Sequence, residues 1–228
     1  MKRLFTIATA AFFAVALASC GGEQNNEEST ETEESKMEES TDAGASGQFS
    51  ISSDDSKIMW EGNMLAVGGV SLYGHQGTLN LAKGQLNMTD GVITDGTIVA
   101  DMSTITPTDD NFNPEEGKSK DKLVGHLSSD DFFAIKEYPT ATFVVTDADE
   151  TTIKGEMTIR GVTHPESITD FSIEEADGKM KAKGTMTIDR QKYNVAFSMS
   201  AEDKILSDDI ILSFDLVGMN KEKKEAAM

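Results

Sequence analysis

Residues 118–143, KSKDKLVGHLSSDDFFAIKEYPTATF, interrupt the strand texture of this chain once and then restore it. Leu123, Val124 and Leu127 fall at spacings that share one face of a short helix, with Lys120, Asp121 and Lys122 off that face. Ser128 to Asp131 read as a stop, because Ser and Asp side chains offer the backbone competing hydrogen bonds. Phe132 and Phe133 follow as a bulky apolar plug. Pro139 forces Tyr138 toward an extended conformation, after which Thr140 to Val145 alternates as a strand. A helix closed by aromatics and bracketed by β segments suits the sealing of an opening in a sheet or barrel.

On the N-terminal side, Phe49 and Ile51 alternate, a turn-like Ser52-Ser53-Asp54-Asp55 follows, and Ile58 and Trp60 alternate with Met59 and Glu61. Gly62 to Gly74 is glycine-punctuated and reads as irregular. Ala82-Lys83-Gly84 and Asp90-Gly91 read as hairpin turns, Asp95-Gly96 as a bend inside a strand, and Pro107 to Gly117 as a polar loop. On the C-terminal side strands are expected over 152–160, 168–173, 180–188, 193–199 and 210–217, with Gly161 to Pro165 as a corner. Asp177-Gly178 is a further turn. The tail from Asn220, residues 220–228, is polar and expected to fray. About ten short strands at close spacing with one helix give an all-β fold, an antiparallel sheet folded on itself with the helix over an opening.

The N-terminus has a different texture. Lys2 and Arg3 form a positive n-region, Leu4 to Leu17 an apolar run of 14 residues, and Leu17-Ala18-Ser19-Cys20 a small-residue cleavage site. That tetrapeptide resembles the lipobox of bacterial lipoproteins, which makes residues 1–19 a signal peptide and Cys20 a lipid anchor to a membrane. Residues 20–46 then form an acidic tether with one large apolar residue, Met37, too poor in apolar surface to offset the entropy of ordering. Gly21 to Ser46 holds nine acidic residues and one lysine, a net −8; with Lys2 and Arg3 at +2, the formal −20 of the chain leaves −14 for the rest. Nucleic acid is excluded as a partner, since phosphate contacts need clustered Lys and Arg. The expected place is the cell envelope, on the periplasmic side of the outer membrane or at the cell surface.

Catalytic signatures are absent. There is no G-x-S-x-G elbow, no phosphate-cradling glycine loop and no HExxH. His75, His126 and His164 stand too far apart in sequence to suggest a metal centre, and no cofactor is expected. Asp130-Asp131 reads as a helix stop, and Asp189-Arg190 as an ion pair fixing a strand end. His75 and His126 sit at element ends, where each could satisfy a backbone group or meet a ligand. The strand faces carry Met157, Met186, Phe143, Phe171, Phe197 and Phe214 beside the small residues Ala141, Gly155, Ala182 and Gly184. That mixture fits either a filled core or an elongated apolar cavity. A filled barrel acting as an interaction module, or an enzyme acting on lipid, is the alternative to a carrier.

Several segments in order carry a resemblance: KIMWEG at 57–62, YGHQGTLNL at 73–81, HLSSDDFFAIKEYPTATF at 126–143, IKGEMTIRGVTHP at 153–165 and GTMTIDRQKYNV at 184–195. From Phe49 to Val217 the chain resembles the YceI-like family of bacterial periplasmic proteins, which sets a domain at 47–219. The resemblance implies a lipocalin-like extended antiparallel β-barrel with a helix over one opening. It also implies an apolar tunnel for a polyisoprenoid or similar lipid, such as the tail of an isoprenoid quinone. Trp60, Phe143, Val145, Met157 and Ile159, with Phe171, Met186, Ile188, Phe197 and Phe214, are the candidates to line it, and His75 and His126 to stand at its mouth. The segment from Gly62 to His75 is longer than the usual family version, and Tyr193-Asn194 replaces a frequent Phe-Gly pair. Pairing of two barrels into a homodimer is left open.

Overall fold

Alternating burial along extended segments builds the molecule, and three tight turns set its register. The computed structural model describes residues 45–198 and 204–226. The signal segment 1–19, Cys20 and nearly all of the acidic tether lie outside the described residues. In chain order the strands are β1 (Gly47–Ile51), β2 (Lys57–Ala66), β3 (Ser71–Thr89), β4 (Val92–Pro107), β5 (Thr140–Ala148), β6 (Ile153–Ile159), β7 (Val162–Ile168), β8 (Asp170–Ala176), β9 (Lys179–Asp189) and β10 (Lys204–Asn220). Helix α1 (Lys120–Ser128) precedes β5, α2 (Lys221–Ala226) follows β10, and 3-10 turns cover Pro114–Glu116 and Arg190–Tyr193.

The turns at Asp90-Gly91, Arg160-Gly161 and Asp177-Gly178 each place both residues at positive φ, between 50° and 83°. Two such residues between antiparallel strands make the type I′ turn whose twist matches a hairpin, and glycine at the second position removes the steric cost. At α1, Ser119 accepts the backbone N–H of Lys122 and caps the helix. The hydroxyls of Ser128 and Ser129 donate to the carbonyls of Val124 and His126 at its other end.

All ten strands share one antiparallel sheet closed into a barrel, nine of them in the order β7-β6-β5-β4-β3-β1-β10-β9-β8 and β2 beside that path, paired with β3 and β10. Strands β1 and β2 fill the same gap at different heights. β1 pairs with Gly84–Met88 of β3 and Gly218–Asn220 of β10, while β2 pairs with the earlier part of each. The ends of the sheet meet where β7 packs beside β9 and the Arg190–Tyr193 turn. No backbone ladder crosses this seam among the described residues. Instead Tyr193 Oη donates to Glu166 Oε1 at 2.9 Å, and His164 Nε2 lies 2.9 Å from the Lys192 carbonyl. Tyr193 is fully buried; burial pushes its phenol pKa up and the bond to Glu166 pushes it further.

Five local expectations change. Ala82-Lys83-Gly84 is no hairpin: β3 runs straight through it with a bulge between Leu81 and Lys83, and Gly84 is small because a Cβ there would stand 2.7 Å from Ile51. Gly62 to Gly74 is regular, an extension of the β2–β3 hairpin with Asn63 opposite Gly74 and Met64 opposite Tyr73. His164 and Pro165 lie within β7, an edge strand where a missing N–H is tolerated, so the corner is only Arg160-Gly161. Tyr193 to Ser198 is a 3-10 turn followed by irregular chain. Asn220 is buried as the last residue of β10, and the Lys221 ammonium that follows donates to Gln85 Oε1 at 3.0 Å.

Candidate functional site

Interior side chains close the barrel at one height and leave a void at another. A cavity of about 350 Å3 lies between β2–β6, β9, β10 and α1. Its walls are hydrocarbon and aromatic: Ile58, Trp60 and Leu79 on one side, Phe143, Met157 and Ile159 on another, Leu212 and Phe214 on a third. Leu123, Leu127, Phe132 and Phe133 cover one end, so α1 and the plug after it seal an opening. The volume falls in the range of small-molecule sites, and its apolar lining is what such sites share.

Polar groups reach this surface at few points. His75, on β3, stacks on Phe112 with ring centroids 4.6 Å apart, and its Nδ1 lies 3.1 Å from Asp109 Oδ1. Asp109 also accepts the backbone N–H groups of Gln76 and Asn111 at 3.0 and 2.9 Å. Burial pushes the Asp109 carboxyl up, but these bonds outweigh it and hold the group below the ordinary carboxylate value. An ionised Asp109 can only accept, so His75 Nδ1 carries the proton of this bond and, in the neutral ring, Nε2 is the acceptor. His126, in the last turn of α1, sits edge-on to Phe132 and Phe197 with centroids 4.9 and 4.5 Å apart. The indole N–H of Trp60 is buried with no hydrogen-bond partner.

Two arginines hold the wall. Arg190 is 3% exposed, and its guanidinium donates to the carbonyls of Val195, Phe197, Leu206 and Ser207 and to Asp208. Its acidic partner is therefore Asp208, not the adjacent Asp189, which instead accepts from Gln191 N and caps the 3-10 turn. Burial lowers the pKa of the guanidinium, and Asp208 and Asp189 act against that. Arg160 donates to the carbonyls of Asp130, Phe132 and Asn194, which ties the aromatic plug to the chain after β9.

Of the residues expected to line a tunnel, Trp60, Phe143, Met157, Ile159, Ile188, Phe197 and Phe214 face the cavity, as do His75 and His126. Val145 and Met186 are buried in the filled part of the core. Phe171 lies in a shallow outer groove with Met59 and Lys183, because β8 pairs only with the first part of β9 and never reaches the cavity. Asp109, Phe112 and Ser207 were not legible as neighbours of the cavity; an Asp in an acidic loop carries no sequence signal that distinguishes it. Among the described residues no group of three or more His, Cys, Asp or Glu side chains is arranged to hold a metal ion.

Comparison with known proteins agrees with this architecture. A UPF0312 protein of Staphylococcus aureus is 32% identical over 120 residues, which is 50% of this chain and 66% of that protein. A UPF0312 protein of Staphylococcus epidermidis is 30% identical over 122 residues, with the same coverage. The chain thus spans slightly less than two thirds of these curated relatives. The crystal structure of Burkholderia cenocepacia BcnA superposes with a TM-score of 0.53 at 17% identity, covering 73% of this chain and 98% of that one, which is a likeness of fold. The family model for the YceI-like domain matches residues 49–218, nearly the whole barrel, and the chain belongs to the YceI-like family.

Proposed function

We propose that the chain binds an amphipathic lipid with a long apolar tail, of the isoprenoid type such as an isoprenoid quinone, in the hollow part of its barrel. The binding is non-catalytic, and the protein works at the cell envelope, tethered through Cys20. The observation that carries this reading is the 350 Å3 cavity with almost wholly hydrocarbon walls inside a YceI-like barrel, a binding-protein fold. Each methylene-sized group moved from water into such a space gains about 0.8 kcal/mol. Ten of them gain about 8 kcal/mol, enough to exceed the cost of association at its lower estimates. His75 Nε2 and the unpartnered Trp60 N–H supply one acceptor and one donor for a polar head.

Native mass spectrometry of the protein purified from its own cells tests this directly. The expected result is a lipid-sized extra mass that disappears on organic extraction. Protein that is consistently empty, and that takes up no added isoprenoid quinone, would sink the proposal. His75→Ala is expected to weaken binding of a headed quinone more than that of a headless prenyl hydrocarbon.

A further inference from the structure

We propose that the β2–β3 arm docks tip-first on a lipid bilayer surface. Residues 62–74, GNMLAVGGVSLYG, form the arm and carry no charged side chain, in a chain that is 26% Asp, Glu, Lys and Arg. A strand whose inner face walls an apolar cavity ordinarily turns a polar face to water. Here the outside is apolar too: Val67 and Val70 are each 67% exposed, Leu72 47%, and Ile205 of the neighbouring β10 52%. Five of the eight large hydrophobic side chains that stand exposed in the described residues belong to this one tip, counting Tyr73 at 41%.

The base of the tip has the chemistry of a membrane interface. Lys204 lies over the Tyr73 ring, 5.5 Å from its centroid, so one amphipathic aromatic and one cation stand where headgroups would meet the arm. Tyr73, Met64 and Leu206 also wall the cavity. Since Tyr73 is both a wall and exposed, the cavity reaches the surface beside the docked tip. Five side chains are too few for a stable second copy, whose interface takes roughly 20–30 residues a side, but they suit shallow insertion at an interface. The strongly acidic body would be repelled by an anionic partner, and the uncharged tip would not. No helix in the described residues is long and apolar enough to cross a membrane.

The test needs no knowledge of what the cavity holds, so its failure is distinct from failure of the lipid-binding reading. In the mature chain from residue 21 onward, which lacks both the apolar run 4–17 and the single cysteine, an environment-sensitive fluorophore is placed on Val70→Cys or, at the opposite end of the barrel, on Glu150→Cys. Phosphatidylcholine vesicles are then added. Fluorescence at position 70 is expected to rise and to be quenched by acyl-chain nitroxides, while position 150 stays silent. Replacing Val67, Val70 and Leu72 with Ser is expected to lower the vesicle-bound fraction at least about tenfold, since each apolar side chain withdrawn from water contributes about that factor, with the melting temperature unchanged. A silent label at 70, equal responses at both positions, or a rise that follows protein concentration without vesicles would overturn the proposal, the last by assigning the tip to a second copy.

Discussion

Each long inward-facing strand of the barrel passes from a filled half to a hollow one. On β5, Val145 packs in the core and Phe143 walls the cavity; on β9 the same change falls between Met186 and Ile188, and on β10 between Leu216 and Phe214. What differs is the strand placed between β3 and β10. At the filled end β1 drops Phe49 and Ile51 inward, close enough that a Cβ on Gly84 would stand 2.7 Å from Ile51 and one on Gly218 3.0 Å from it. At the hollow end β2 presents Gly62, whose missing Cβ would meet nothing within 4 Å. Two strands at the same place in the sheet order therefore do opposite jobs, one filling and one leaving space.

Substitutions on either side of that boundary should break or sharpen the contrast. Phe49→Ala is expected to cost about 3–5 kcal/mol, the usual penalty for truncating a fully buried aromatic, read from the denaturant midpoint. Leu212→Ala, on the cavity wall, should cost less than about half as much, because it enlarges a void already present; equal losses would mean the two halves are packed alike. Arg190→Met should destabilise by about 3 kcal/mol or more, since several buried carbonyls lose their donor together. Gly84→Ala is expected to cost about 1–3 kcal/mol through overpacking against Ile51. Gly62→Ala should be neutral or stabilising by up to about 1 kcal/mol, and Gly62→Leu should fold normally while weakening uptake of an isoprenoid quinone.

The smallest effect is expected at the rim. The Asp109 carboxyl has a lowered folded pKa, so its contribution is complete above the unfolded value of about 3.9 and is lost as pH falls through the folded value. The stability gap between wild type and Asp109→Ala should accordingly be widest near neutral pH and close below about pH 4. A gap that widens on acidification would show that the carboxylate is not held by its donors.

The parts of this contrast that depend on local chemistry were legible. Leu123, Val124 and Leu127 mark the face of α1, and the Asp-Gly pairs at 90 and 177 mark hairpin turns, because each signal lies within a few residues. Gly84 misled, since a glycine that yields to a facing side chain reads the same as one that turns the chain. Tyr193 to Ser198 misled as well: its alternation is that of a strand, but Arg190 collects the carbonyls that a ladder would use. Whether Met186 and Met157 meet in the middle depends on which residues stand at the same height around the barrel. That is a property of register, and spacing along one strand does not contain it.

The line where β7 meets β9 has a mechanical consequence. Elsewhere around the circumference every strand is laced to its neighbour by repeated main-chain bonds, but here Tyr193 with Glu166, His164 with the Lys192 carbonyl and Arg160 with the Asn194 carbonyl act as separate rivets. Shearing a few rivets is easier than unlacing a row, so the wall should breathe along this line first, with amide exchange in β7 preceding that in β3 and β10. The β7 edge bared by such breathing is a poor template for another chain, because Pro165 interrupts it.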